Sequence, residues 1–560
     1  MNYISTFPVQ ISVRVISAVC AFIICLRKIG DFDYWTHLAI GRAYWKAGSI
    51  FINEPFVLSR LASPLLNVEW LFQLFLYPVH AIGSDAAVSI AIAFIAAASI
   101  YILSAALPVN IGMGTGMVAC VYLTATAMAA QFRFVPRPEA VACVLLAAAL
   151  ILSHSWCRTP DRRKLLVLAA LFVVWVSLHV TWTLGAVFVT SVILSRPNFT
   201  FWRDQTATSA GRIFIAAVAL VLLLAGYHVV LFAIQVLIYV KPGNLLAGVT
   251  EMRPLWEFPE LMLPCGIVAL AGLICAWGAR DGRIGRLILW FLAAAVALMV
   301  ARNAAMTLLA MVPGALIGFA AYDRWLSGRL KHMVAVLSLL LIIALVTFSV
   351  RDRETPWGIG VDWLLFPRDA ARLVKQHSAS VKVFNNWDCG GYLAWAWEGR
   401  PPTFLDGRLG TPEIIADHDA VVDGIDPAAT LEKYGLTTVL IQPLYYNSGR
   451  IVPALYWLFA QPEWSLVRAS DALVFMRRPL PPGLVPLSTV DAWRSMARHF
   501  NLLAQGMPDR PHLMYSRAVA AYFSGDLFAA QRLLAEGASR HPELMETYRL
   551  FMPFGDERYK

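Results

Sequence analysis

Long apolar runs separated by short polar connections fill the first 350 residues of this 560-residue chain, and past Arg351 the pattern changes to short alternating segments. A membrane-crossing helix needs about 20 mainly apolar residues. Runs at 11 to 28, 86 to 106, 109 to 131, 138 to 155, 165 to 179, 181 to 195, 213 to 240, 261 to 278, 286 to 301, 304 to 321 and 332 to 350 predict about eleven crossings. The pair between 165 and 195 is short for two crossings and reads as two tilted helices. Trp70 to Gly83 is apolar but too short to span, which predicts a helix lying in the interface.

Past Arg351 the elements are those of a water-soluble α/β unit. "SVKVFNNWDCGGYLAWAWEGRPPTFLDGRLG" gives a β-type run at Val381 to Phe384, a helix opened by glycines, and a second short strand at Thr403 to Leu405 ending in a polar turn. "LTTVLIQP" and "WSLVRASDALVFMRR" predict further strands, with "PAATLEKYG" helical between them. After the proline-rich "RPLPPGLVPL" the tail turns helical. Its segment Tyr515 to Pro542 resembles a single tetratricopeptide repeat in Ala518, Tyr522, Gly525, Asp526, Ala529 and Pro542, which predicts a helical hairpin and leaves a protein partner open. The expected layout is a transmembrane domain over 1–350 with a first external loop at 31–83, an α/β domain over 351–485 and a helical tail over 486–560.

Composition agrees with a membrane protein: 59% hydrophobic, 15% charged, mean hydropathy +0.62. The net charge of +10 does not require nucleic acid, because the basic residues concentrate in "RTPDRRK", "ARDGRIGR" and "YDRWLSGRLK", as the positive-inside bias would place them. Those loops are then cytoplasmic, with the N-terminus inside. Asp31 to Asn67, Lys241 to Glu260 and everything past Arg351 fall outside. The first apolar segment runs into Arg27 and Lys28 without a small-residue cleavage site and reads as a retained anchor.

The polar chemistry gathers on that outer side. In "GDFDYWTHLAIGRAYWKAGSI", a helix capped by Asp31 and beginning at Phe32 would put Asp33, His37 and Gly41 on one face. Both acids could equally serve the free N–H groups and dipole of a helix start, with Trp35 and Trp45 in an interfacial belt. Glu54 and Glu69 follow in the same loop; "RFVPRPEA" adds Arg137 and Glu139; "TEMRPLWEFPE" adds Glu251, Arg253 and Glu257; Arg302 and Asn303 lie between two helix ends. Ionisable groups at membrane depth are costly and mark a pathway or a reaction site. His179, in "WVSLHVTWTLG", has no evident role by position.

These motifs resemble the GT-C superfamily of membrane glycosyltransferases. "DFDYWTHLAIGRAYWKAGSIFINEPFVLS" followed by "NVEWLFQ" is similar to a bacterial branch with an Asp-x-Asp-x-Trp-x-His-Leu motif, an acidic-Pro-Phe turn and a Glu-Trp pair; "RPE", "WVSLHVTWTLG" and the Arg302 helix mouth fit as well. "NNWDCGGYLAW" is similar to the Trp-Asp-x-Gly motif of oligosaccharyltransferase catalytic subunits, but Asn386 and Cys389 depart from it. By itself that stretch also reads as a strand-to-helix turn capped by Asn386 or Asp388.

The resemblance implies inverting sugar transfer from a polyprenyl-phosphate donor to a glycan, lipid or protein acceptor. It makes Asp33 the base, with Asp31 and His37 orienting it or sharing a divalent cation such as Mg or Mn with it. Arg137, Arg253 and Arg302 become candidates for the donor phosphate. Glu54, Glu69, Glu139, Glu251, Glu257, Trp387 and Asp388 become candidates for sugar or acceptor. It also implies a bacterial inner membrane, with the C-terminal part in the periplasm. The rival reading is a non-catalytic envelope scaffold that recruits partners through its C-terminal domains. A transporter fits less well, since the acids gather at one surface rather than at mid-membrane.

Overall fold

The computed structural model describes residues 7–194, 226, 230, 252–278, 283–323, 328–377 and 381–549, apart from 62, 66, 409, 508 and 509. Six of the described helices are long and apolar enough to cross a bilayer: Trp70–Ala106, Met113–Arg133, Pro138–Arg158, Pro259–Gly278, Ala301–Phe319 and Gly328–Val350. The chain is a multi-pass membrane protein. Three shorter apolar helices, Val9–Cys25, Trp182–Ile193 and Gly285–Met299, lie where further crossings were expected. At 1.5 Å per residue they span less than the roughly 30 Å of hydrocarbon. The expected run at 213 to 240 lies outside the described residues except at 226 and 230.

By packing, the chain divides into two units. One holds Met1–Asp31, Leu66–Asp352 and Trp357–Val361; the other holds Phe32–Leu65, Arg353–Pro356 and Asp362–Lys560. Part of the expected first loop therefore groups with the C-terminal residues rather than with the helices that flank it.

In the first unit, helix α1 (Phe7–Cys25) packs on the Trp70–Leu103 and Met113–Ala130 helices. The Trp70–Leu103 helix is interrupted where Gly83 and Ser84 leave helical geometry, so the segment expected to lie flat is continuous with a crossing through a kink. Small residues allow close approach elsewhere: the Cα of Gly318 lies against the Cys275 backbone, where a Cβ would overlap. Arg27 ties three segments together, bonding to the carbonyls of Ile24 (2.7 Å) and Ser349 (2.8 Å) and to Gln131 Oε1 (3.0 Å).

The second unit is built on a four-stranded sheet ordered β1-β2-β4-β3, comprising β1 (Val383–Asn385), β2 (Thr438–Ile441), β3 (Trp464–Ala469) and β4 (Leu473–Arg477). β1 and β2 run parallel, the other pairings are antiparallel, and β3 carries an irregularity between Leu466 and Arg468. Thr403 to Leu405, expected as a strand, instead exchanges backbone bonds with residues 56 to 58: Thr403 N–H donates to Phe56 O and Leu58 N–H to Thr403 O, both at 2.8 Å. Helix α2 (Asp33–Ala47) belongs here and ends at Gly48, whose φ of +63° only glycine adopts readily. It packs on the Gly390–Trp397 helix, where Gly391 admits Phe32 and Thr36. In the tail, Ser488 caps the helix Thr489–Gly506. The helices Pro511–Phe523 and Leu527–Arg540 then pack on each other, Asp526 capping the second.

Candidate active site

Helix α2 starts one residue later than the sequence suggests, with Phe32 at the cap position and no side-chain cap. Asp31 does not cap it; its carboxylate accepts from Arg137 Nε at 2.6 Å in the first unit. Asp33 becomes the first helical residue, where the helix dipole favours an anion. His37 follows one turn later and is buried. Trp35 is no belt residue: it is 1% exposed, among Trp363, Phe366, Tyr392 and Trp395 at ring distances of 5.1 to 6.2 Å. Trp45 does face outward.

Beside Asp33 lies the turn Asp406-Gly407-Arg408, whose charges are closely paired. Arg408 Nε donates to both Asp406 oxygens (3.1 and 2.9 Å), and Arg408 also binds both Glu54 oxygens, Nη1 at 2.6 Å and Nη2 at 3.1 Å. Glu54 Oε1 additionally accepts from the N–H groups of Phe56 (2.9 Å) and Val57 (3.3 Å). Arg60 reaches Asp406 at 3.4 Å. Burial alone would raise the Asp406 carboxyl, but Arg408 and then Arg60 hold it below the usual carboxylate range. Burial likewise opposes the Arg408 charge, yet Asp406 and Glu54 keep it more firmly protonated than usual. Glu54, a candidate for sugar binding, thus spends both oxygens on bracing this turn.

Trp387 and Asp388 lie in a short turn leading into the Gly390–Trp397 helix. Trp387 N–H donates to His418 Nε2 at 3.1 Å, so the His418 proton sits on Nδ1, 2.9 Å from Asp419. Asp388 is half-buried. Burial raises its carboxyl above the ordinary value, opposed by His418.

The first unit gathers a second cluster. Glu139 Oε1 accepts from Arg133 at 2.6 Å and from Arg302 through Nε at 2.9 Å and through a second nitrogen. His179 Nε2 stands 3.4 Å from Glu69 and 3.5 Å from Glu139. Thr181 N–H donates to His179 Nδ1 at 3.3 Å, which puts the ring proton on Nε2, toward the two carboxylates. Glu139 Oε2 is buried without a partner among the described residues. With Asp31 and Arg137, three carboxylates face three guanidiniums.

The remaining candidates lie elsewhere. Arg253 and Glu257 are exposed and pair with each other at 3.7 Å, and Glu251 lies outside the described residues. Among the described residues no group of three or more His, Cys, Asp or Glu is arranged to hold a metal, so Asp31, Asp33 and His37 do not form the expected cation set.

No protein family matches the chain by sequence, and no curated protein does. Solved structures do match. The archaeal oligosaccharyltransferase AglB from Archaeoglobus fulgidus, in complex with an inhibitory peptide and a dolichol-phosphate, superposes with a TM-score of 0.51 at 11% identity, over 93% of this chain and 86% of that one. ArnT from Cupriavidus metallidurans, in the apo state, gives 0.50 at 12% identity, over 83% and 97%. Both have the GT-C fold. The chain has the GT-C fold.

Within this GT-C fold, sequence reasoning missed Arg133, Arg60, Asp406 and Arg408, and left His179 without a role. "LDGRLG" was visible as a polar turn, but nothing local shows that its Asp and Arg meet Glu54, which lies 354 positions from Arg408.

Proposed function

We propose that this protein is an inverting glycosyltransferase that uses a polyprenyl-phosphate sugar, with Asp33 as the base. The observation that carries the reading is the half-buried Asp33 carboxylate at the first turn of α2, seated against Gly407, in a chain with the GT-C fold. That AglB was captured with a dolichol-phosphate supports a lipid-linked donor. Asp33 takes the proton of the acceptor hydroxyl as its oxygen attacks the anomeric carbon. The bond from that carbon to the phosphate oxygen breaks, and the phosphate leaves on its lipid. Developing charge on the phosphate calls for guanidinium groups. Arg137 and Arg302, in the first unit, remain the candidates for the donor phosphate. Glu69, Glu139, Trp387 and Asp388 are left to sugar and acceptor. The basic loops support a cytoplasmic N-terminus, with this chemistry on the outer face of a bacterial inner membrane.

The test is sugar transfer by the purified protein in lipid, supplied with polyprenyl-phosphate sugars and envelope acceptors. Asp33→Asn preserves shape and removes basicity, and turnover is expected to fall by about 10²- to 10⁴-fold. A folded Asn variant that transfers at the wild-type rate overturns the assignment. A wild type inert toward every donor favours the scaffold.

A further inference from the structure

We propose that the Asp406-Gly407-Arg408 turn is the positioning element for the Asp33 carboxylate, with Gly407 as the residue that sets its place. This rests on the reading of Asp33 as the base. A Cβ built on Gly407 would stand 2.5 Å from Asp33 Oδ1 and 3.7 Å from its Cγ, with no other atom within 4 Å. Gly407 is not among the glycines with positive φ. Backbone conformation therefore does not require glycine here; the close approach of the carboxylate does.

Of the two sides of that contact, the end of a side chain gives more easily than a closed backbone turn. The turn is held on every side. Asp406 is 0% exposed, and its carboxylate binds Arg408 Nε and the Arg408 backbone N–H, the latter at 3.1 Å. Arg408 is anchored to Glu54, and Glu54 to two backbone N–H groups of its own loop. Just upstream, the Asn385 side chain accepts from Phe404 N–H at 2.8 Å and donates to Leu405 O at 2.8 Å, fixing the turn to β1. The Asp33 carboxylate, by contrast, is the end of a side chain with two rotatable bonds. A methyl group at 407 displaces the carboxylate, not the turn. Gly407 acts through Asp33 and is a positioning residue, with Arg408, Glu54 and Arg60 as the brace.

The experiment is a cycle of Gly407→Ala, Asp33→Asn and the double variant, each as full-length protein in lipid, with kcat, KM and thermal unfolding measured. Displacing a reacting group by about 1 Å costs about 10²-fold. Gly407→Ala is expected to lower kcat by about that factor, to leave KM within about twofold and to leave the unfolding temperature nearly unchanged. In the Asp33→Asn background it is expected to add nothing. The proposal is overturned if kcat is unchanged, or if alanine lowers it by the same factor in both backgrounds. It is equally overturned if Gly407→Ala fails to fold, since then the turn and not the carboxylate gave way. Wild-type turnover by Asp33→Asn would instead remove the catalytic reading, and the positioning role with it.

Discussion

The two buried ion clusters use the same residue types in opposite ways. Around Arg408, Glu54 and Asp406 have both carboxylate oxygens engaged, partly by backbone N–H groups, and the site is closed. Around Glu139, one oxygen takes Arg133 and Arg302 while the other, buried, has no partner among the described residues. A buried polar atom left unpaired costs about 1–3 kcal/mol. A cluster that tolerates that cost is poised to exchange partners, whereas one with every oxygen paired can only hold a shape. The Arg408 cluster is therefore a brace, and the Glu139 cluster is the one that the proposed function offers to a phosphate or hydroxyl.

Arg408→Ala tests the closed cluster and carries the largest expected effect. It strands two buried carboxylates, and stability should fall by about 3–5 kcal/mol, read as a lowered unfolding temperature in detergent. Glu139→Gln keeps the shape of the open cluster and should cost less, about 1–3 kcal/mol, while transfer falls by more than the folded fraction does. Equal losses of stability in the two variants would erase the distinction between the clusters. Acid titration sharpens it further. The folded carboxyl of Asp406 sits below its unfolded value of about 3.9. Its contribution is therefore complete above that value and is lost as pH falls through the folded one, so Asp406→Asn should flatten the acid limb of the stability curve. Asp388→Asn has the smallest expected effect and the opposite sign. Burial raises that carboxyl, so folding near neutral pH works against its charge, and the variant should unfold slightly later.

The apolar runs before Val350 were legible because lipid requires long, uniform helices, and so were the strands around Val439, Leu466 and Val474. The helix start at Asp33 was misplaced by one residue, since Asp31 is a good cap by type and Arg137, 106 positions away, draws it off. Glu139 and Arg302 were visible as ionisable groups at helix ends, but their mutual contact was not. His179 stood in view without a role because a histidine's partners belong to other helices. Gly407 left no signal at all: what marks it is the nearness of Asp33, more than 370 positions earlier in the chain.

The sheet's two open margins have a further consequence. β1 is three residues long, and the Asn385 side chain occupies its outer neighbour through Phe404 N–H and Leu405 O. On the other side β3 is broken in register near Leu466, whose carbonyl is taken by Leu487 N–H at 2.8 Å. Neither margin offers a straight ladder on which a second chain could add a strand. A sheet finished in this way resists fibre-like self-association, and many copies can crowd together without templating one another.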